Sequence, residues 1–334
     1  MADRTPGTAR AQYTVLAVLL ASSFALFWFN LKLGINLWNA THWLFTYDTG
    51  FAKRALVGTV YLGLTGEAQS LALYTLHLQI AAAVTLAFTL VVYASVGARP
   101  AAAGYPVGLR SWALGLLLLS APGTVPQLAF DLGRFDAIGL LILCLAFVVA
   151  SRLPPLIAFT ALAVLSATSI LIHEAYVFWI VPTGFALWLW RNGLTWPTVT
   201  AAVTAAATFL LMALWVGRFV YGDRMTFEEA EAMLAAEADF PVIRNSLLVH
   251  FRSISENLTY TAGYAWTEHR LPALALGGAV LAAYVALVLS LFASSGHLRT
   301  LRAWLLLASC FGPLVLMVVG HDQGRWFAMV NCSL

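Results

Sequence analysis

Long apolar runs separated by short polar islands set the pattern of this chain. Tyr13 to Leu31, Leu71 to Val96, Leu156 to Ile172, Val199 to Val220 and Leu271 to Phe292 each approach the ~20 residues that a helix needs to cross a bilayer. Shorter apolar runs lie between them: Trp112 to Ala121, Ala137 to Ala150, Tyr176 to Trp190 and Ala303 to Val319. Counted as crossings with the apolar tail after Trp326, they predict an all-α, polytopic transmembrane helix bundle of about nine to ten spans. Residues 1–334 are expected to form a single integral-membrane domain, interrupted by an external hydrophilic insertion at about 221–270.

Two amphipathic external helices are predicted inside that insertion. Thr226-Phe-Glu-Glu229 has the capping-box pattern ahead of an Ala/Glu-rich stretch. Ile243, Leu247, Phe251, Ile254 and Leu258 recur three or four apart, the spacing of one helical face. Gly58 to Gly66 is too short to cross and reads as an interfacial or re-entrant helix. The basic start before Tyr13 resembles a signal peptide, but Leu31 is followed by K-L-G-I-N-L-W rather than a small-residue cleavage site, so an uncleaved first span is expected.

Composition agrees with this pattern: 61% of residues are hydrophobic, 10% are charged, and the mean hydropathy is +0.84. A net charge of +3 with no basic block gives no basis for a nucleic-acid partner. Cys144, Cys310 and Cys332 are scattered and predict neither disulfides nor a metal cluster. Alternating the loops places Arg4, Arg10, Arg99, Arg110, Arg152, Arg191, Arg299 and Arg302 on one side with Asp3 as the only acid beside them. Such loops mark the cytoplasmic face, so the amino terminus is expected inside. The Ala/Leu-rich, Lys-poor composition points to a bacterial inner (plasma) membrane. Asn39-Ala-Thr41, Asn257-Leu-Thr259 and Asn331-Cys-Ser333 match the glycosylation pattern and are read as coincidence.

Four polar islands fall at span ends on the opposite, external face. Ionisable groups at comparable depth on separate helices are costly unless they face one another or water, which makes each island a candidate site. In Trp43 to Gly58, Asp48 suits a general base or a ligand for a divalent cation carrying a phosphate, or else an ion pair with Lys53 or Arg54. Lys53 and Arg54 suit an anionic partner or lipid headgroups, and Tyr47 and Trp43 suit an interface. Asp131 and Arg134 are three apart and can pair, leaving Asp136 nearer the bundle interior.

His173-Glu174 lacks the second histidine of a zinc-protease helix; it suits proton transfer, a sugar hydroxyl or a buried structural pair. In His321-Asp322-Gln-Gly-Arg325-Trp326, Arg325 can grip a phosphate, Trp326 can stack on a sugar, and His321 and Asp322 can move a proton. No nucleophile elbow, P-loop or dinucleotide fingerprint accompanies them, and there is no dedicated metal motif.

The position of Asp48 just after the first span, the external helices and the basic span ends together resemble the GT-C type of membrane glycosyltransferase. That resemblance implies a polyprenyl-phosphate-linked sugar donor, a glycan acceptor and an inverting transfer. Asp48 would take the acceptor's proton while Arg54, Arg134 or Arg325 stabilises the departing phosphate, and Trp43, Tyr47 and Trp326 would hold sugar and lipid. Asp48 stands alone where members of that type carry paired acids. A proton-coupled transporter and a non-catalytic envelope assembly protein are the competing expectations.

Overall fold

Proline and glycine punctuate the helices of this chain. The computed structural model describes residues 36–334 except 49, 67–70, 103–114, 116, 120–122, 130, 265–270, 295, 320 and 321, together with six isolated helical positions between 14 and 28. The expected first span and the Trp112 to Ala121 span therefore lie largely outside the described residues, as does His321. Every regular element among the described residues is helical.

The principal helices are α1 (Leu56–Thr65), α2 (Leu71–Ala102), α3 (Asp136–Arg152), α4 (Pro155–Ile172), α5 (Ile180–Asn192), α6 (Trp196–Val216), α7 (Phe227–Glu237), α8 (Arg244–Phe251), α9 (Ile254–Tyr264), α10 (Leu271–Ser294), α11 (Leu301–Cys310) and α12 (Gln323–Ser333). Pro154 forces Leu153 out of the helical region, ending α3, and Pro155 opens α4, where a missing N–H costs nothing. Gly193, at φ +94, follows α5, and a Thr195/Thr198 capping box starts α6. The result is four helices, α3 to α6, running alternately up and down.

Among the described residues, four stretches are long and apolar enough to cross a membrane: Leu73–Val91 within α2, the whole of α4 and α6, and Leu274–Ala293 within α10. The other predicted crossings that fall within the described residues are shorter as folded. The α3, α5 and α11 helices have 17, 13 and 10 residues, and Gly312-Pro313 breaks the run after α11 into a 3-10 turn and the short helix Leu316–Val319. At ~1.5 Å per residue, 13 residues reach only about 20 Å.

The core is centred on α3. Gly139 is required there, because a Cβ would meet Trp179 at 2.7 Å and Tyr176 at 3.0 Å, and both aromatics are fully buried. At one end of the bundle, Arg191 donates to the carbonyls of Ala150 and Leu153 at 3.2 and 2.6 Å. Arg302 approaches Gly193, and His297 meets Trp190 edge-on at 5.3 Å. The acids Asp131, Asp136, Glu174 and Asp322 lie in the segments at the opposite end, where α3 begins, α4 finishes and α12 begins.

The helices of the 221–270 stretch differ from expectation in one respect. The α7 helix carries the predicted capping box, with Thr226 N–H donating to Glu229 at 2.7 Å and Glu229 N–H to Thr226 Oγ1 at 3.2 Å. The second amphipathic helix is two helices, α8 and α9, broken at Arg252-Ser253. A further capping box, in which Ser253 N–H donates to Glu256 at 2.6 Å, starts the second.

Candidate functional site: an arginine-lined cavity

The turn from Asp131 to Phe135 forms the first wall. Gly133 sits at φ +100, where a Cβ would strike Asn39 at 2.7 Å, and its carbonyl accepts from Trp43 Nε1 at 2.6 Å. Asn39, fully buried, donates to Asp131 Oδ1 at 2.7 Å and to the Leu132 carbonyl at 3.1 Å. Held in this way, Asp131 meets Arg134 Nε at 2.6 Å, while Arg134 Nη1 reaches forward to Asp322. Asp136 opens α3, where the helix dipole favours an anion. It is completely buried, paired with Arg325 and accepting the Tyr176 hydroxyl at 3.1 Å.

The second wall forms where α4 ends. His173 leaves the helix in an extended conformation, and its Nδ1 accepts the Ala175 N–H at 3.2 Å. That bond puts the ring proton of the neutral imidazole on Nε2, so His173 is a donor rather than a base in this state. Glu174 is gripped by Arg54, whose Nε lies 2.9 and 3.1 Å from the two carboxylate oxygens and whose Nη2 closes the fork. Arg54 is the one non-glycine residue with positive φ among the described residues, at +62, so local backbone strain is tolerated here to hold the guanidinium.

The third wall is α8 and α9. His250 stacks on Phe45 with ring centroids 3.6 Å apart and shares a 2.8 Å hydrogen bond with His42. Ser246 donates to the Trp38 carbonyl at 2.7 Å, and Lys53 Nζ to the Arg252 carbonyl at 2.5 Å. These contacts fasten α8 to the segment after the expected first span and turn Asn245 and Arg252 towards the space between the walls.

That space is a cavity of about 530 Å³, a size typical of small-molecule sites. Arg54, Arg134, Arg252 and Arg325 line it with His173, Asn245, Asn257 and Tyr260, and among the described residues Asp322 is its one carboxylate. Trp38 lies 5.6 Å from Arg134 and Trp326 5.0 Å from Arg325, each in cation–π contact. Arginine forks with carboxylates behind them present their remaining N–H groups forwards, an arrangement suited to a phosphate or carboxylate ligand.

Burial dominates the titration of the surrounding groups. It holds His42, His173 and His250 well below the usual imidazole range, with Arg54 adding to the effect at each, so all three are neutral at pH 7. Burial pushes Lys53 down to about 8, with Glu174 opposing it. Burial also raises Asp131 against the pull of Arg134. At Glu174 the upward push of burial is outweighed, chiefly by Arg54, leaving the carboxyl well below its ordinary value.

Of the residues singled out in the sequence, Arg54, Arg134, His173, Asp322, Arg325 and Trp326 share this cavity, and Asp131, Asp136 and Glu174 stand directly behind its arginines. The others lie elsewhere. Asp48 is exposed, accepting from Thr46 Oγ1 at 2.6 Å, and pairs with neither Lys53 nor Arg54. Tyr47 stacks on Phe51 at 5.4 Å, Trp43 is buried against His77 and Tyr61, and Lys53 is only 1% exposed, behind the third wall. Asn39 and Asn331 are buried side chains, out of reach of glycosylation in the folded chain. Among the described residues no group of three or more His, Cys, Asp or Glu side chains is arranged to hold a metal ion.

Sequence reasoning missed Trp38, Asn245, Arg252, Asn257 and Tyr260. A signal was present in Ser253-Ile-Ser-Glu256, a capping box that ends the supposed continuous helix at Arg252. No protein-family model, curated protein or solved structure matches the chain.

Proposed function

We propose that this chain is an integral-membrane glycosyltransferase or polysaccharide polymerase that takes sugar from a polyprenyl-phosphate donor and passes it to a glycan acceptor at the extracytoplasmic face. One observation carries the reading. Arg54, Arg134 and Arg325, from three distant parts of the chain, converge on one cavity beside the ends of membrane-length helices, each oriented by a carboxylate. A lipid-linked phosphate reaches such a site from the bilayer. The basic residues at the opposite end support a cytoplasmic amino terminus in a bacterial inner membrane.

In this reading Arg54 and Arg325 bind the donor phosphate, and His173 donates its Nε2 proton to a phosphate or hydroxyl oxygen. Trp38 and Trp326 offer faces for the sugar. Asp322 takes the role that the family resemblance implies for Asp48, because among the described residues it is the carboxylate that faces the cavity. The acceptor O–H proton passes to Asp322 as the acceptor oxygen bonds to the anomeric carbon. The anomeric C–O bond breaks, and its electron pair leaves on the phosphate, where the arginines stabilise the charge.

Deleting the gene and profiling cell-surface polysaccharide tests this. Glycan should be lost and restored by the wild-type chain and by Asp48→Asn, but not by Arg325→Ala or Asp322→Asn. Unchanged glycan in the deletion strain would sink the enzyme reading, and rescue by Asp322→Asn would remove it as the base.

A further inference from the structure

The four carboxylates paired with Arg54, Arg134 and Arg325 are not equivalent. Asp136 is fully buried, and the side chains of Asp131 and Glu174 are 20% and 17% exposed; none of the three lines the cavity. Asp322 is 36% exposed and does line it. Arg134 bridges the two kinds, with Nε on Asp131 behind it and Nη1 on Asp322 in front. Asp131 is additionally clamped by Asn39, so Arg134 keeps a counter-ion if Asp322 leaves. Asp322 is also the residue preceding α12, where an aspartate ordinarily turns back to cap the helix, yet its side chain makes no capping bond.

We infer that Asp322 is a resident occupant of an anion subsite on Arg134, displaced when a phosphate-bearing ligand enters the cavity. The inference rests on the glycosyltransferase reading and adds its order of events: the incoming phosphate takes over Arg134 Nη1, and the released carboxylate becomes available to accept a proton. An Asp322 still bound to Arg134 is a poor base, because its charge is already neutralised by the guanidinium. Donor binding therefore arms the base, and acceptor deprotonation before the donor is seated is suppressed. No bond is made or broken in the exchange; one carboxylate–guanidinium contact is replaced by a phosphate–guanidinium contact.

Calorimetric titration of the full chain in nanodiscs with geranyl phosphate, inorganic phosphate and geraniol tests the exchange. Asp322→Asn removes the competing charge, so geranyl phosphate should bind about tenfold more tightly than to wild type, the worth of one charge-assisted contact. Asp322→Ser, which retains a helix-capping side chain, should show the same gain. Both gains should vanish on an Arg134→Gln background, and geraniol should not bind more tightly to either variant.

Equal or weaker binding by both Asp322 variants, with wild type binding normally, overturns the exchange and leaves the glycosyltransferase reading standing. Failure of wild type and variants alike to bind either anion overturns both. A gain seen with inorganic phosphate alone upholds the exchange while removing the lipid-linked donor.

Discussion

Asp136 and Arg325 are 189 positions apart in the chain and close on each other in an ion pair at the back of the cavity. The pair joins the first turn of α3 to the first turn of α12, with the Tyr176 hydroxyl as a third member. Asp136 Oδ2 and Arg325 Nε have no hydrogen-bond partner among the described residues. The bridge thus holds α12 in place and leaves polar capacity behind the cavity unused.

Removing one side of a buried pair strands the other charge. Asp136→Ala is expected to destabilise the fold by about 3–5 kcal/mol, because Arg325 stays buried without its counter-ion. Replacing both, as Asp136→Asn with Arg325→Met, should recover much of that loss. Denaturant titration in detergent reads the effect; a loss under ~1 kcal/mol for the single variant would contradict the assigned burial.

The turn that presents Arg134 depends on Gly133. At φ +100, with Asn39 2.7 Å from where a Cβ would stand, Gly133→Ala meets both backbone strain and a collision. A cost of about 1–3 kcal/mol is expected, with weaker anion binding because Asn39, Asp131 and Arg134 shift together. Thermal unfolding with parallel titration of geranyl phosphate checks it. Unchanged affinity would show that the turn does not set the position of Arg134.

Arg54 is expected to resist conservative replacement. Lysine keeps the charge and the unfavourable φ but loses the fork that grips both oxygens of Glu174. Arg54→Lys should lower stability and geranyl phosphate affinity by about 1–3 kcal/mol each. Wild-type values in both assays would remove the bidentate grip from the account.

Acid should loosen the second and third walls while Glu174 is still ionised. His42, His173 and His250 have folded-state pKa values below the unfolded 6.5, so the unfolded chain binds the extra protons. Stability is therefore full above that pH and falls as pH drops below it, by up to about 4 kcal/mol per pH unit when three sites contribute. Glu174 is depressed instead, so its contribution persists to lower pH and is lost as pH falls through its folded value. Unfolding free energies measured from pH 7.5 to 5 should slope downwards, and less steeply in His250→Gln. A flat profile would contradict the burial of neutral imidazoles.

What could be read from the sequence follows from contrast. Arg54, Arg134, His173 and Arg325 stand out because charge is rare beside apolar runs, and span ends are where such charge can be tolerated. Arg252 and Asn257 lie in the hydrophilic stretch at about 221–270, where polar residues are unremarkable, and only the fold turns them inwards. Asp48 stands out through its place after the expected first span, but its side chain bonds to Thr46 two positions away. The number of crossings was less legible, since a 13-residue apolar helix such as α5 has the hydropathy of a span without its length.

Photolabelling locates the lipid-phosphate site on the chain itself. A diazirine-bearing geranyl phosphate should label the full chain in nanodiscs on peptides containing Val249 or Trp326, which line the cavity, and excess polyprenyl phosphate should compete the label away. Arg325→Ala should reduce labelling at least tenfold, the loss of a charge-assisted contact of about 1.4 kcal/mol or more. Label confined to the faces of α4, α6 or α10, indifferent to competitor and to Arg325→Ala, would mean that the arginine-lined cavity is not a lipid-phosphate site.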